Sequence, residues 1–156
     1  MIKIIAHRGL WNHEEEQNAN VAILRARDNK LGSEIDLYSL NQTIYCAHDM
    51  SKIHNNTLTY SLLDKELRDF DYFLDIKSLC MAKELKNIIL DKKNKFLINV
   101  ADDELKEYQD FGFSVYHSHN LSNSVTLPCV KHGLLADFWG STKNYHKFID
   151  TMKTYV

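Results

Sequence analysis

Short apolar runs rich in β-branched residues alternate with stretches of helical period along nearly the whole chain, and this alternation limits the fold more than any other feature. IKIIAH (2–7) reads as a buried strand bounded by Arg8-Gly9. NANVAILRARDNK (18–30) has helical spacing at Val21, Leu24 and Arg25, with Asn18 or Asn20 able to cap it and Gly32 able to stop it. SEIDLYS and TIYCAHD read as two further strands, too close in sequence for a helical crossover between them. A turn at Asn41-Gln42 lets the second return beside the first and leaves Asp36 and His48 at the same end.

Downstream, TYSLLDKELRD (59–69), CMAKELKNIILDKK (80–93) and ADDELKEYQDFG (101–112) read as helices. They are interleaved with strands at YFLDIKS (72–78), KFLINV (95–100) and FSVYHSH (113–119). SVTLPCV (124–130) is a weaker strand because Pro128 cannot donate to a ladder. GLLADFWG (133–140) is the last strand and NYHKFIDTMKTY (144–155) a closing helix. The order predicts an α/β fold with a parallel sheet covered by helices. Up to eight strands suggest a (β/α)8 TIM barrel. With 156 residues, below the ~200 at the short end of that fold, it must be compact and helix-depleted, several crossovers being loops. An open doubly wound sheet is the competing architecture.

Composition adds exclusions. A formal net charge of -2, with acids and bases interspersed, shows no basic stripe for nucleic acid and no basic amphipathic helix for a membrane surface. No apolar run approaches the ~20 residues of a membrane span, and MIKIIAHRG turns polar too soon for a signal peptide. Cys46, Cys80 and Cys129 are odd in number and scattered, so the expectation is a cytoplasmic protein with reduced thiols. One proline and five glycines provide no linker, so a single domain over 1–156 is expected.

The apolar runs share one habit: their C-terminal sides carry polar chemistry. The series is His7-Arg8, Glu34 with Asp36, His48-Asp49, Asp75 with Lys77, Asn99 with Asp102, His117 with His119, and Asp137. In parallel α/β folds such ends converge on one face. Any single strand-end acid or imidazole is most simply a loop-bonded surface group, but the repetition points to a site. Carboxylates suit a hard divalent ion such as Mg²⁺ or Ca²⁺. Arg8 can fork onto phosphate oxygens, and a histidine pair supplies an acid and a base near neutrality.

His7-Arg8-Gly9, Gln17-Asn18-Ala19, Glu34-x-Asp36, His48-Asp49 and Asp75-x-Lys77 occur in an order and spacing that resemble the glycerophosphodiester phosphodiesterase family. The resemblance runs from residue 5 to 77; beyond it only the element pattern and LLADFWG match. It implies a TIM barrel, with His7 and His48 as the acid–base pair. It further implies Glu34, Asp36 and Asp75 as ligands of a divalent cation, and Arg8 and Lys77 on the phosphate. Asn18 would assist at the metal or phosphate. Gln17, Ala19 and Asp75 stand where the family pattern has Glu, Thr and Glu, and SLNQ replaces its Thr-x-Asp-Gly.

The expected function is a metal-dependent phosphodiesterase cleaving glycerophosphodiester-like small molecules. A cyclic phosphodiester would form first and be hydrolysed or released, the latter making the protein a lyase. The alternative is a catalytically impaired barrel that binds a phosphate ligand, which the altered 17–19 segment and Asp75 would favour. Neither nucleic acid nor stable membrane association is expected. Trp11 and Trp139 each follow a strand end and either line the substrate mouth or plug the barrel; Trp139 joins the substrate-binding candidates. His117, His119, Cys129 and His132 offer zinc donors, but their spacing matches no closed finger. They read better as rim or core imidazoles, or as substrate contacts. HEEEQNAN (13–20) reads as a solvated loop leading into a helix rather than an acidic metal loop.

Overall fold

In the computed structural model the described residues are 5–67, 70–89, 95–120 and 134–137. The chain divides into two units, Met1–Val115 and Tyr116–Val156. In the first, β1 (Ile5–Ala6), β2 (Gly32–Leu40), β4 (Tyr72–Ile76) and β5 (Lys95–Ile98) lie side by side in that order, all parallel. The helices α1 (Asn20–Asp28), α2 (Tyr60–Glu66), α3 (Ala82–Ile88) and α4 (Leu105–Asp110) fall between or after them. Within the second unit, β6 (Ser114–Asn120, which begins in the first) pairs in parallel with β7 (Leu134–Asp137), His117 opposite Leu134. The molecule is thus a parallel α/β sheet with few helices. Among the described residues the strands form no closed barrel. The strand expected at 124–130, the closing helix at 144–155 and Trp139 lie outside the described residues.

The one antiparallel strand among the described residues, β3 (Thr43–Cys46), pairs with the far half of β2 from Leu37–Cys46 to Leu40–Thr43. The link is the two-residue turn Asn41-Gln42, both residues at positive φ (51° and 62°), the conformation a tight hairpin needs. So β2 does two jobs. Its first half sits between β1 and β4, and its second half carries the hairpin outward.

Side chains alternate along a strand, and the sheet sorts them cleanly. Ile35, Leu37, Tyr72, Leu74, Ile76 and Leu97 join one apolar cluster with Ile23, Leu63, Leu85 and Tyr108, one residue from each of the four helices. The helices therefore share one face of the sheet. The intervening residues Glu34, Asp36, Phe73 and Asp75 project to the other face, where Phe73 meets Phe96 at 5.3 Å. β4 is buried along its whole length, as an internal parallel strand should be. A doubly wound sheet would carry helices on both faces; the described helices share one.

The first helix faces inward differently from the reading of the sequence. α1 buries Ala22, Ile23 and Ala26 and leaves Val21 half exposed. α2 buries Leu63, while Leu62 points outward. On α1 the cause is Gly9, whose backbone lies so close that a Cβ there would stand 2.8 Å from the Ala22 carbonyl carbon. Only small side chains on the helix permit that approach. On the helix face Lys95 is buried against Asp64 at 3.3 Å, and Asp64 also accepts the Tyr60 hydroxyl at 3.2 Å, tying α2 to β5.

Gly9 (φ +83°) and Gly112 (φ +82°) share a left-handed backbone but differ in surroundings, since nothing lies within 4 Å of a Cβ at Gly112. Gly112→Ala should cost about 1 kcal/mol, the left-handed penalty alone. Gly9→Ala should cost roughly 2–4 kcal/mol because a backbone clash is added. Urea unfolding of both variants checks the difference.

Candidate active site

The register of β2 on β4 places Asp36 directly across from Asp75, and Glu34 lies two residues earlier on the same face of β2. One ligand oxygen from each of the three carboxylates lies within 4.8 Å of the others. All three are buried, Asp36 completely (0%).

Such a concentration of negative charge needs counter-charge, and neighbouring loops supply it. Arg8, just after β1, sets Nε 2.8 Å from Asp36 Oδ2. Lys77, just after β4, places Nζ 2.7 Å from Asp75 Oδ2 and 3.2 Å from Asp36 Oδ1. Asn18 exchanges two hydrogen bonds with Asp36: Nδ2 donates to Oδ2 at 2.9 Å, and the Asp36 amide donates to Oδ1 at 3.0 Å. Asn99, just after β5, donates from Nδ2 to Asp75 Oδ1 at 2.9 Å. The Arg8 amide donates to Glu34 Oε2 at 2.9 Å. Arg8 Nη1 in turn donates to Gln17 Oε1 at 2.9 Å, so Gln17 orients the guanidinium.

Three of these residues hold a left-handed backbone: Arg8 (φ 56°), Asn18 (φ 59°) and Asn99 (φ 56°). Asparagine tolerates this conformation and arginine much less. Strain of this kind persists where surrounding bonds over-determine it. Here the Arg8 carbonyl accepts from the Asn18 amide at 3.0 Å while its own amide is held by Glu34.

His7 Nε2 lies 3.9 Å from Glu34 Oε2, with its side chain partly exposed. The Trp11 indole donates to the His7 carbonyl at 3.1 Å, so Trp11 braces this loop. His48 follows β3, and the Ala47 amide donates to the Asp36 carbonyl at 3.0 Å, which fixes His48 at the level of the acids. Among the described residues no hydrogen bond or ion pair joins His48 to the three carboxylates. Its Nδ1 faces Asp49 Oδ2 at 3.3 Å. Asp49 Oδ1 accepts from the Ser51 amide at 2.8 Å, capping a short 3-10 turn at Met50–Lys52. The bond to the Ser51 hydroxyl and the neighbouring imidazole hold the Asp49 carboxyl below its usual range. The structure therefore draws seven of the sequence candidates together: His7, Arg8, Asn18, Glu34, Asp36, Asp75 and Lys77. His48 stands at the edge of that group.

Sequence reasoning sets Asn99 among the strand ends without giving it a place in the site, and it misses Gln17 as a partner of Arg8. A lone Asn at a strand end carries little signal; only the register beside Asp75 makes it informative. Within HEEEQNAN, Glu14–Glu16 form a short 3-10 turn that leads into α1. Glu16 pairs with Arg25 of α1 at 2.7 Å and accepts from the Asn12 amide, which lowers its carboxyl to about 2. The side chains of His117 and His119, and the residues Cys129 and His132, lie outside what is described.

The donor set fits a hard divalent cation: three buried carboxylates and no sulfur, with one oxygen from each converging within 4.8 Å. Charge agrees. With Glu34 ionised, three carboxylates against Arg8 and Lys77 leave one negative charge, which a bound dication would offset.

No family model matches the sequence, and no curated protein matches it. The fold, however, is similar to that of a glycerophosphodiester phosphodiesterase. The crystal structure of that enzyme from Agrobacterium tumefaciens strain C58 superposes with a TM-score of 0.60 at 16% identity, covering 78% of this chain and 66% of the other. The chain therefore spans just under two thirds of that protein's length.

Burial, reinforced by the charges of Asp36 and Asp75, pushes the Glu34 carboxyl up to about 8, against the opposing pull of the Arg8 amide and Lys77. Native Glu34 thus keeps a proton that the unfolded chain loses near 4.5. Folding stability from this group is fully present below pH 4.5 and lost as pH rises through about 8. At about 1.4 kcal/mol per pKa unit the loss amounts to a few kcal/mol. In metal-free buffer, Glu34→Gln should remove this decline relative to wild type. Urea titrations between pH 4.5 and about 9 measure it.

Proposed function

We propose that this protein is a divalent-metal-dependent phosphodiesterase acting on glycerophosphodiester-like small molecules. The observation that carries the reading is the buried Glu34–Asp36–Asp75 triad flanked by Arg8 and Lys77. One sheet face thereby holds a place for a cation beside a place for an anion. We further take residues 1–156 to form one compact, helix-depleted (β/α)8 barrel. Its support is the parallel strand order, the helices sharing one face of the sheet, and the structural neighbour. Among the described residues no helix is long and apolar enough to cross a membrane. Cys46 and Cys80 are free thiols, which agrees with a reducing, cytoplasmic setting.

Glu34, Asp36 and Asp75 would hold the ion, Mg²⁺ or Ca²⁺, which supplies Lewis-acid polarisation of the phosphoryl oxygens. The chain's own residues do the rest. Arg8 and Lys77 stabilise the charge that builds on the phosphoryl group as the ester bond breaks. Asn18 and Asn99 keep the aspartates oriented by hydrogen bonds. One histidine of the His7/His48 pair takes the proton of a substrate hydroxyl next to the phosphorus. That oxygen forms the new P–O bond, and the leaving alkoxide is protonated by the other histidine. With Nδ1–H directed to Asp49, His48 is left with Nε2 for proton transfer. The first product is a cyclic phosphodiester, and water then opens it if the enzyme completes a hydrolysis.

Phosphorus NMR of glycerophosphodiesters incubated with Mg²⁺ or Ca²⁺ should show turnover that stops with chelator. A persistent cyclic product would identify a lyase. His7→Ala or His48→Ala should each lower kcat by roughly 10²–10⁴ while diester binding survives. Near-full activity in both variants would exclude this mechanism. Asp36→Asn should abolish ion binding measured by calorimetry; an unchanged affinity would remove the triad from the metal site.

A further inference from the structure

Beside the triad runs a cleft of about 850 Å³, large for the glycerol end of a diester and within the size range of sites for drug-sized ligands. Arg8, Asn18 and His48 lie on its wall, so it opens from the anion-binding side of the site. Its far end is the turn His54–Thr57. We propose that this cleft binds a polyhydroxylated alcohol, the moiety esterified to the phosphate on the His48 side. The proposal rests on the phosphodiesterase reading for the phosphate, and on the cleft's own chemistry for the alcohol.

By residue type, about half of the lining is neutral and hydrogen-bonding. Side-chain amides come from Asn18, Asn20, Asn55 and Asn56, and hydroxyls from the nearby Ser51 and Thr57. Asn20 keeps a buried amide oxygen with no donor, an acceptor suited to a ligand hydroxyl. Formal charges on the wall balance, Arg8 and Lys52 against Glu14 and Glu15, which selects neither a cationic headgroup nor a second anion. Among the described lining residues there is no Phe, Tyr or Trp, so no large ring offers a face for a base or an aryl group. The few apolar members are mostly small and interrupted by polar ones, a poor channel for an acyl chain.

The turn that presents Asn55 and Asn56 is preorganised. The Thr57 amide donates to the His54 carbonyl at 2.9 Å, and the His54 amide donates to Thr57 Oγ1 at 2.8 Å. The Thr57 hydroxyl also reaches the Lys52 carbonyl at 3.2 Å, and the Cys46 amide holds the Leu58 carbonyl at 2.8 Å, pinning the turn to β3. Fixed donors and acceptors bind hydroxyls without first being ordered.

The test compares glycerophosphoinositol with glycerophosphocholine as substrates, and inositol 1-phosphate with phosphocholine as ligands in calorimetry, all with Mg²⁺ or Ca²⁺ present. The wild type should favour the inositol compounds by about tenfold or more, from a few added hydrogen bonds. Asn55 and Asn56 are exposed, so the double variant Asn55→Leu/Asn56→Leu should fold, and its preference should fall to within about threefold. Equal or better use of the choline compounds, or a preference that the double variant leaves intact, overturns the proposal. If no diester is cleaved but inositol 1-phosphate still binds with that preference and that dependence, the cleft stands and the phosphodiesterase reading falls. Turnover without preference does the reverse: the phosphodiesterase reading stands and the cleft's role falls.

Discussion

The pairing of β2 with β4 at Asp36–Asp75 is the constraint on which the rest depends. In a parallel ladder, partners in register project to the same side, so one choice of register brings two carboxylates together. Glu34 follows by alternation. A slip of one residue in β2 would turn Glu34 and Asp36 toward the helices, away from Asp75, and send Ile35 and Leu37 to the opposite face. The apolar cluster that binds the four helices thus also holds the acids in place. Burying charge is costly unless it is compensated, and Arg8, Lys77, Asn18 and Asn99 provide that compensation from four separate segments.

Much of this was legible in the sequence because two signals are local. The period of apolar residues located every described strand and α-helix but neither 3-10 turn, and the change from apolar to polar at strand ends marked the site. The Asn41-Gln42 turn was legible for the same reason: the segment between the two strands is too short for anything but a hairpin. The inward face of α1 was not, because it is set by what packs against it. Val21 is as apolar as Ala22, and the close passage of Gly9 decides between them. Asn99 and Gln17 have the same character, since their roles exist only through partners 24 and 9 residues away. The placement of His48 relative to the acids likewise depends on tertiary detail, here the Asp49-capped turn.

The left-handed residues link fold and chemistry. Arg8, Asn18 and Asn99 each follow a stretch of chain that must bend sharply back toward the acids. A relaxed backbone would carry their side chains elsewhere. The cost of that bend is met by bonds already made to Glu34, Asp36 and Asp75, so the acids hold their own partners in position. Local strain and local charge are here two aspects of one arrangement.

Lys77 reaches two aspartates at once, and Arg8 presses on one of them from the C-terminal end of β1. These resident ammonium and guanidinium groups act as internal counter-ions from the moment the strands assemble, and Glu34 can keep its proton. The chain thus carries within itself the positive charge that its clustered acids need.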